Sequence, residues 1–217
     1  MPKVTGREYR MMAQPLAALW PDALATATGT ATPPKKRFDT DFYVEGFATT
    51  FNEPYELFES EGVKYYEMID RNALDGADLS DVIMQYDHAG TVFARNKMAK
   101  GKPPCLLVEP QESGLFIAAD LGVIEEAKSL YASIEKGLIY KMSWAFTVAE
   151  DFYDKYLHTR TIMKIKKVYD VSAVSYPANA DTDISARSWI DGAIETEKRE
   201  ALARQAQLLK IKIMLEV

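Results

Sequence analysis

The stretch GLIYKMSWAF, residues 137–146, is where the chain changes from a helical to an extended pattern. In its second half, large apolar residues alternate with small or polar ones, which predicts a β-strand. Met142, Trp144 and Phe146 fall on one face of this strand, and Ser143 falls on the other. Ser143 is therefore either a small polar residue on a strand's second face or a nucleophile held in place by the packing of its neighbours.

The segment before this strand has a helical period. In VIEEAKSLYASIEKG, residues 123–137, apolar residues recur every three or four positions. Two glutamates stand near the start, where the helix dipole favours negative charge, and Gly137 stands where a left-handed cap is expected. The sequence therefore predicts one internal helix that leads directly into the strand of Ser143.

Most of the remaining chain has the character of short strands. Before the helix we expect strands in DFYVEGFATTFN, YYEMID and DVIMQYDH, and a strand pair CLLVEP and GLFIAADL around the turn PQESG. After it, MSWAFTVAEDFY and TRTIMKIKKVYDV form a predicted hairpin around DKYLH, and VSAVSYPAN forms a further strand that ends at Pro177. These segments predict a mainly β fold with flanking helices (α+β), arranged as a small barrel or sandwich.

The two ends of the chain differ from this body. Residues 1–37 are predicted to be a flexible N-terminal leader, because the run ATATGTATPPKKR at 25–37 has no period that could bury a face. Residues 9–20 could form a short helix against a partner, although a disordered leader is the simpler interpretation. The body is expected over 38–186, and residues 187–217 form a charged helical segment.

Composition excludes several classes of protein. The formal charge of −6 argues against a protein that mainly grips nucleic acid, because phosphate binding needs a basic field. The single cysteine, Cys105, allows no internal disulfide and is interpreted as packing at a strand edge. No run of 18 apolar residues predicts a membrane span, and PLAALWPDALA is too short and too interrupted for a signal peptide. We therefore expect a cytoplasmic protein.

The scarcity of histidine limits the possible chemistry. His88 and His158 are the only histidines, which leaves too few His and Cys side chains for an ordinary zinc site. The motifs HExxH, CxxC, GxxxxGK[ST] and GxGxxG are all absent from the sequence, so we expect no cofactor and no metal. Carboxylates are numerous, but nothing singles out a glycosidase pair. A serine hydrolase with a histidine base stays possible.

Four residues are candidates for such a site or its neighbourhood. His88 ends a predicted strand beside a glycine and could face a cleft, whereas His158 lies in a charged hairpin where exposure is expected. Asp170 interrupts an apolar run, and a buried carboxylate is costly unless it is paired. A salt bridge to Lys166, Lys167 or Arg160 is the simplest explanation. Asp87 would point away from the His88 ring if the strand were regular.

Four ordered motifs resemble those of the prohead proteases of tailed phages, which are distantly similar to the herpesvirus assemblins. The motifs are GFATTFNEP, MQYDHAG, IEKGLIYKMSWAF and VYDVSAVSYPAN, and they span about residues 40–186. The resemblance implies a serine protease on a small β-barrel flanked by helices. It implies that His88 is the base, Ser143 the nucleophile and Asp170 the third member. The phage family usually has Glu at this last position, so Asp requires a closer strand, a bridging water or a weaker role.

The resemblance also implies a biological setting. Such proteases work inside the assembling procapsid in the host cytoplasm, cut major capsid protein or scaffolding protein, and often trim themselves; self-association is open. The leader and the C-terminal segment are then candidate docking or self-cleavage segments. The main alternative is a non-catalytic capsid-assembly or scaffold module with the same fold. An esterase is a weaker alternative, because the sequence has no GxSxG, and a generic binding domain is the remaining one.

Overall fold

The computed structural model of the chain describes residues 6–15, 17–18, 36–175 and 184–215. The described strands are β1 (Glu8–Pro15), β2 (Ala17–Ala18), β3 (Tyr43–Thr50), β4 (Tyr55–Ser60), β5 (Val63–Ile69), β6 (Ile83–Tyr86), β7 (Ala89–Arg95), β8 (Leu106–Pro110), β9 (Gly114–Asp120), β10 (Lys141–Asp154) and β11 (Thr159–Val174). The helices are α1 (Glu125–Glu135) and α2 (Ile184–Leu215), with a short 3₁₀ turn at Ala99–Gly101. The protein is thus mainly β with two helices in its described part, as the sequence predicts.

The strands form two sheets that share the N-terminal segment. One sheet has the order β1-β10-β11-β5-β4, and the β6–β7 hairpin joins it through a parallel pairing of β6 with β11. The other has the order β2-β3-β9-β8. Since β1 pairs with β10 and β2 pairs with β3, this one stretch of chain borders both sheets. The described ladders do not close into a ring, so the small barrel stays a prediction.

The main core lies under one face of β10 and β11. Met142, Trp144 and Phe146 are completely buried there, as the alternation of the sequence predicts. Side chains from β9 and β11, among them Ile117 and Val168, pack in the same cluster. Burying this much apolar surface fixes β10 firmly, because each large side chain is worth about 1.5–3 kcal/mol. The position of Ser143 along β10 is therefore set by its neighbours.

Helix α1 ends as the sequence predicts. Gly137 has a left-handed backbone (φ 70°), and its N–H donates to the carbonyl of Ile134 at 2.9 Å. The Leu138 N–H donates to the carbonyl of Ser133 at 2.9 Å, which completes the cap. The chain leaves this cap and enters β10 four residues after Gly137, so the end of α1 helps to set where Ser143 lies. No helix in the described part is long and apolar enough to cross a membrane.

Two local expectations are wrong. The short helix suggested over residues 9–20 is instead strand through Pro15 and again at Ala17–Ala18, because β10 offers an edge to the first part and β3 to the second. The segments TRTIMKIKKVYDV and VSAVSYPAN are not separate strands, since β11 runs unbroken to Val174. Most of the C-terminal segment falls in α2, which confirms its helical pattern. Residues 19–35 and Pro177 lie outside the described part of the chain, and the domain boundaries stay predictions.

Candidate active site

Ser143 lies in the interior of the larger sheet. It is the third residue of β10, with Met11 of β1 opposite it on one side and Ser172 of β11 opposite it on the other. Its side chain lies on the face opposite to Met142 and Trp144, and only 3% of the residue is exposed. Both edges of β10 are hydrogen-bonded here, so the backbone of Ser143 has little freedom.

His88 lies in a two-residue turn between β6 and β7. Tyr86 pairs with Ala89, and both residues between them have left-handed backbones, with φ 49° at Asp87 and φ 57° at His88. Such conformations define the tight hairpin turns that suit strand twist, and Asp and His tolerate them better than bulkier residues. This two-residue turn directs the imidazole of His88 back over the sheet. Sequence reasoning placed His88 at a strand end but gave no sign of this turn.

Asp87 fixes the turn instead of orienting the His88 ring. Its backbone N–H donates to the carbonyl of Ala173 at 3.0 Å. Its carboxylate accepts hydrogen bonds from the Ser175 N–H at 3.0 Å and from the Ser175 hydroxyl at 2.9 Å. The tip of the β6–β7 hairpin is therefore tied to the end of β11, the strand that carries Asp170.

The structure brings Ser143, His88 and Asp170 together. Nε2 of His88 lies 2.6 Å from Oγ of Ser143, and Nδ1 lies 2.5 Å from Oδ1 of Asp170. The contact with Asp170 is direct, so the shorter Asp side chain leaves no water between the two groups. We call these three residues the Ser–His–Asp group.

Asp170 makes none of the ion pairs suggested as its alternatives. Lys167 pairs with Asp78 at 2.7 Å, Arg160 pairs with other carboxylates, and Lys166 is exposed. The Asp170 residue is 2% exposed, and a carboxylate so deeply buried requires partners. His88 supplies one of them.

Ser172 supplies a second partner and was missed from sequence. Its hydroxyl donates to Oδ1 of Asp170 at 2.7 Å, and the residue is fully buried. The spacing of two residues in DVS puts both side chains on one face of β11, so the pattern could have indicated this bond. It fixes the carboxylate that faces the His88 ring.

The group has the bonding pattern needed to activate a hydroxyl. An ionised carboxylate can only accept hydrogen bonds, so the neutral ring of His88 carries its proton on Nδ1 when it bonds to Asp170. Nε2 is then left with a lone pair, which accepts the hydroxyl hydrogen of Ser143. Such an arrangement can remove the proton from the hydroxyl as the oxygen attacks an electrophile.

The other candidate side chains lie elsewhere. His158 is half-buried in the β10–β11 turn, where its ring packs edge-on against Tyr65 with centroids 5.3 Å apart, so it is less exposed than expected. Cys105 is buried at the start of β8, and its sulfur accepts a hydrogen bond from the Arg95 N–H at 3.4 Å. Among the described residues, no three His, Cys, Asp or Glu side chains cluster as a metal site would require.

A family model described as Caudovirus prohead serine protease matches residues 32–195. The chain belongs to this family. No curated protein and no solved structure matches it. The prohead protease family consists of serine proteases of phage capsid maturation, so its members are hydrolases that act on phage capsid proteins. The matched range contains all three members of the Ser–His–Asp group but begins after strand β1.

Proposed function

We propose that this chain is a serine endopeptidase of phage capsid maturation in which Ser143 is the nucleophile, His88 the general base and Asp170 the third member of the triad. The observation that supports this proposal is the position of the His88 ring. Its Nε2 lies 2.6 Å from Ser143 Oγ, and its Nδ1 lies 2.5 Å from Asp170 Oδ1. Both distances are within hydrogen-bonding range, as proton transfer requires. Membership of a serine protease family supports the same assignment.

The proposed reaction has two halves. As Nε2 of His88 takes the hydroxyl proton, Oγ of Ser143 bonds to the peptide carbonyl carbon, and Asp170 stabilises the imidazolium that forms. The imidazolium then protonates the leaving amine and the C–N bond breaks, which leaves an acyl ester on Ser143. Water attacks this ester with His88 again as base, which restores the serine and releases the new carboxyl end.

We propose that the substrates are segments of the major capsid protein or of the scaffolding protein, cut inside the procapsid in the host cytoplasm. The printed name of the family supports action in the prohead. Self-cleavage belongs to the same proposal, with sites in the predicted leader over 1–37 outside strand β1 and in the C-terminal segment over 187–217. The exposed side chains along residues 199–212 of α2 support access to that second segment.

The small barrel also belongs to this proposal. The stretch formed by β1 and β2 pairs with both sheets on one side of the molecule. On the other side the Cys105 N–H donates to the carbonyl of Arg95 at 3.2 Å, which links the start of β8 to the end of β7. These contacts support an incompletely closed barrel.

The test combines processing with direct labelling of the nucleophile. The full chain is co-expressed with the capsid and scaffolding proteins encoded beside it, and fragments are followed by mass. The purified chain is also treated with a fluorophosphonate, and the labelled peptide is mapped. We expect processing and a label on Ser143, and neither in Ser143→Ala. The control is Ser129→Ala, which removes an exposed hydroxyl from α1 and should behave as the unaltered chain.

Each unfavourable outcome has a separate meaning. Equal processing by the unaltered chain and by Ser143→Ala would remove Ser143 from the mechanism. A label on Ser143 without processing would keep the nucleophile but contradict the proposed substrates. A folded chain with neither label nor processing would favour the non-catalytic assembly module.

A further inference from the structure

Strand β1 borders the strand of Ser143 although it lies in the predicted leader. The Cα register puts Met11 opposite Ser143 and Tyr9 opposite Ala145. Because β11 pairs with the other edge of β10, Ser143 has a neighbouring strand on each side. A peptide substrate therefore cannot add to either edge of β10 at this point without displacing a strand. The residues that match the family model begin only at 32, so this strand is a feature of the chain beyond that match.

Charged side chains anchor β1 in the interior of the protein. Arg10 bonds to Glu8 at 2.5 Å and to Glu67 at 2.8 Å, and Arg160 bonds to Glu8 at 2.8 Å and to Glu67 at 3.1 Å. All four residues are at most 1% exposed. We call them the ion network. Removing β1 would take Arg10 away from Glu67 on β5 and Glu8 away from Arg160 on β11. This strand is therefore held far more strongly than a loosely attached leader.

Tyr9 stands between the two anchoring residues and faces the other way. Side chains alternate along a strand, so Tyr9 lies on the face that carries Ser143 while Glu8 and Arg10 enter the ion network. Its ring meets the imidazole of His88 edge-on, with centroids 4.8 Å apart and an angle of 71° between the planes. This contact touches the His88 ring itself, whereas Asp170 and Ser143 hold its two nitrogens.

We propose that Tyr9 is a positioning residue for His88, which makes the N-terminal strand a component of the active centre. The inference rests on the proposed function. His88 sits on a two-residue turn, and its hydrogen bonds to Asp170 and Ser143 leave the ring free to tilt about the line between them. An aromatic ring packed edge-on limits that tilt, and small errors in the position of a base are costly in rate.

The experiment measures how fast Ser143 reacts with a fluorophosphonate in the purified full chain. Tyr9→Leu removes the ring but keeps apolar bulk, and Tyr9→Phe keeps the ring. We expect Tyr9→Leu to lower kinact roughly ten-fold, equivalent to about 1.4 kcal/mol, with KI within about two-fold. We expect Tyr9→Phe to restore kinact to nearly that of the unaltered chain. A purely structural role would not separate kinact from KI in a folded protein.

The matched control is Tyr131→Leu, which removes another edge-on ring pair, with Phe42 at 5.4 Å, on helix α1. We expect it to lower the melting temperature without changing kinact. If Tyr9→Leu melts below the assay temperature, Tyr9→Met replaces it with the same expected result. An unchanged kinact in the ringless variant, or an equal loss in Tyr9→Phe, would overturn the inference. If the unaltered chain does not react at Ser143, the proposed function fails instead.

Discussion

The β1–β10 strand pair carries two buried polar groups, one on each face, and they are built differently. The four charged members of the ion network bond to one another and are each at most 1% exposed, although Arg160 also bonds to the part-exposed Asp151 outside the four. The Ser–His–Asp group is open at one member, since the His88 side chain is 17% exposed. Both obey the rule that buried polar groups need partners. The difference teaches that a set of charges whose own members are all buried stabilises the fold, whereas a set with one accessible member can also meet a substrate.

The largest expected effect comes from breaking the open group. Asp170→Asn keeps the size of the side chain but removes the charge that steadies the His88 imidazolium, and it favours the wrong tautomer of the ring. We expect kcat to fall roughly 10³–10⁴-fold, as in other Ser–His–Asp enzymes. We expect the free energy of unfolding to fall by only about 1–3 kcal/mol. Cleavage kinetics and denaturant unfolding measure the two quantities, and an unfolded variant would assign Asp170 a structural role.

The next largest effect comes from breaking the ion network. Arg160→Met removes the guanidinium that bonds to Glu8, Glu67 and, at 2.6 Å, Asp151. The two buried glutamates then share Arg10 as their counter-charge. We expect the free energy of unfolding to fall by about 3–5 kcal/mol in denaturant titrations.

The control for this prediction lies on the same strand. Lys164→Met breaks an exposed pair with Glu150 at 2.9 Å and should leave the denaturation midpoint unchanged. If Arg160→Met and Lys164→Met were equally stable, the ion network would not anchor β1 as argued above.

The smallest effect is a loss of stability as the pH falls. Burial alone would raise the pKa of Glu67, but the charges and hydrogen bonds of Arg10 and Arg160 hold the pKa below its usual value. A depressed pKa adds stability above the pKa of the unfolded chain, about 4.3, and this stability is lost as the pH falls through the folded pKa. Glu67→Gln lacks this carboxyl. The gap in melting temperature between Glu67→Gln and the unaltered chain should therefore narrow on acidification, and a gap that widened would contradict the sign.

The sequence predicts best those elements whose signals come from residues close together in the chain. The alternation around Ser143 and the Gly137 cap specify β10 and α1 from neighbouring residues alone, and the structure confirms both. The pairing of β10 with β11 follows from their short polar connection. The candidate residues themselves came from the small number of histidines and from the resemblance to prohead proteases. The structure brings these residues together, although their roles stay proposals.

The rest depends on partners far away in the chain. Nothing in the residues near Tyr9 predicts a strand, because β1 is specified by the edge of β10 and by two distant partners, Glu67 and Arg160. The His88 turn was missed because neither Asp87 nor His88 is a glycine, the usual sign of a left-handed turn. The continuity of β11 was missed because its pattern changes along its length, from alternating in TRTIMKIKK to apolar on both faces in VSAV.

The bond between Glu8 and Arg160 joins residues 152 positions apart, and this distance has a consequence for synthesis. Strand β1 leaves the ribosome long before it can pair, since its partner β10 and the anchoring strand β11 lie far later in the chain. Contacts of such long range also slow folding. A nascent chain that stops before β11 lacks Asp170 altogether, so under the proposed function no proteolytic activity can appear until translation has passed β11.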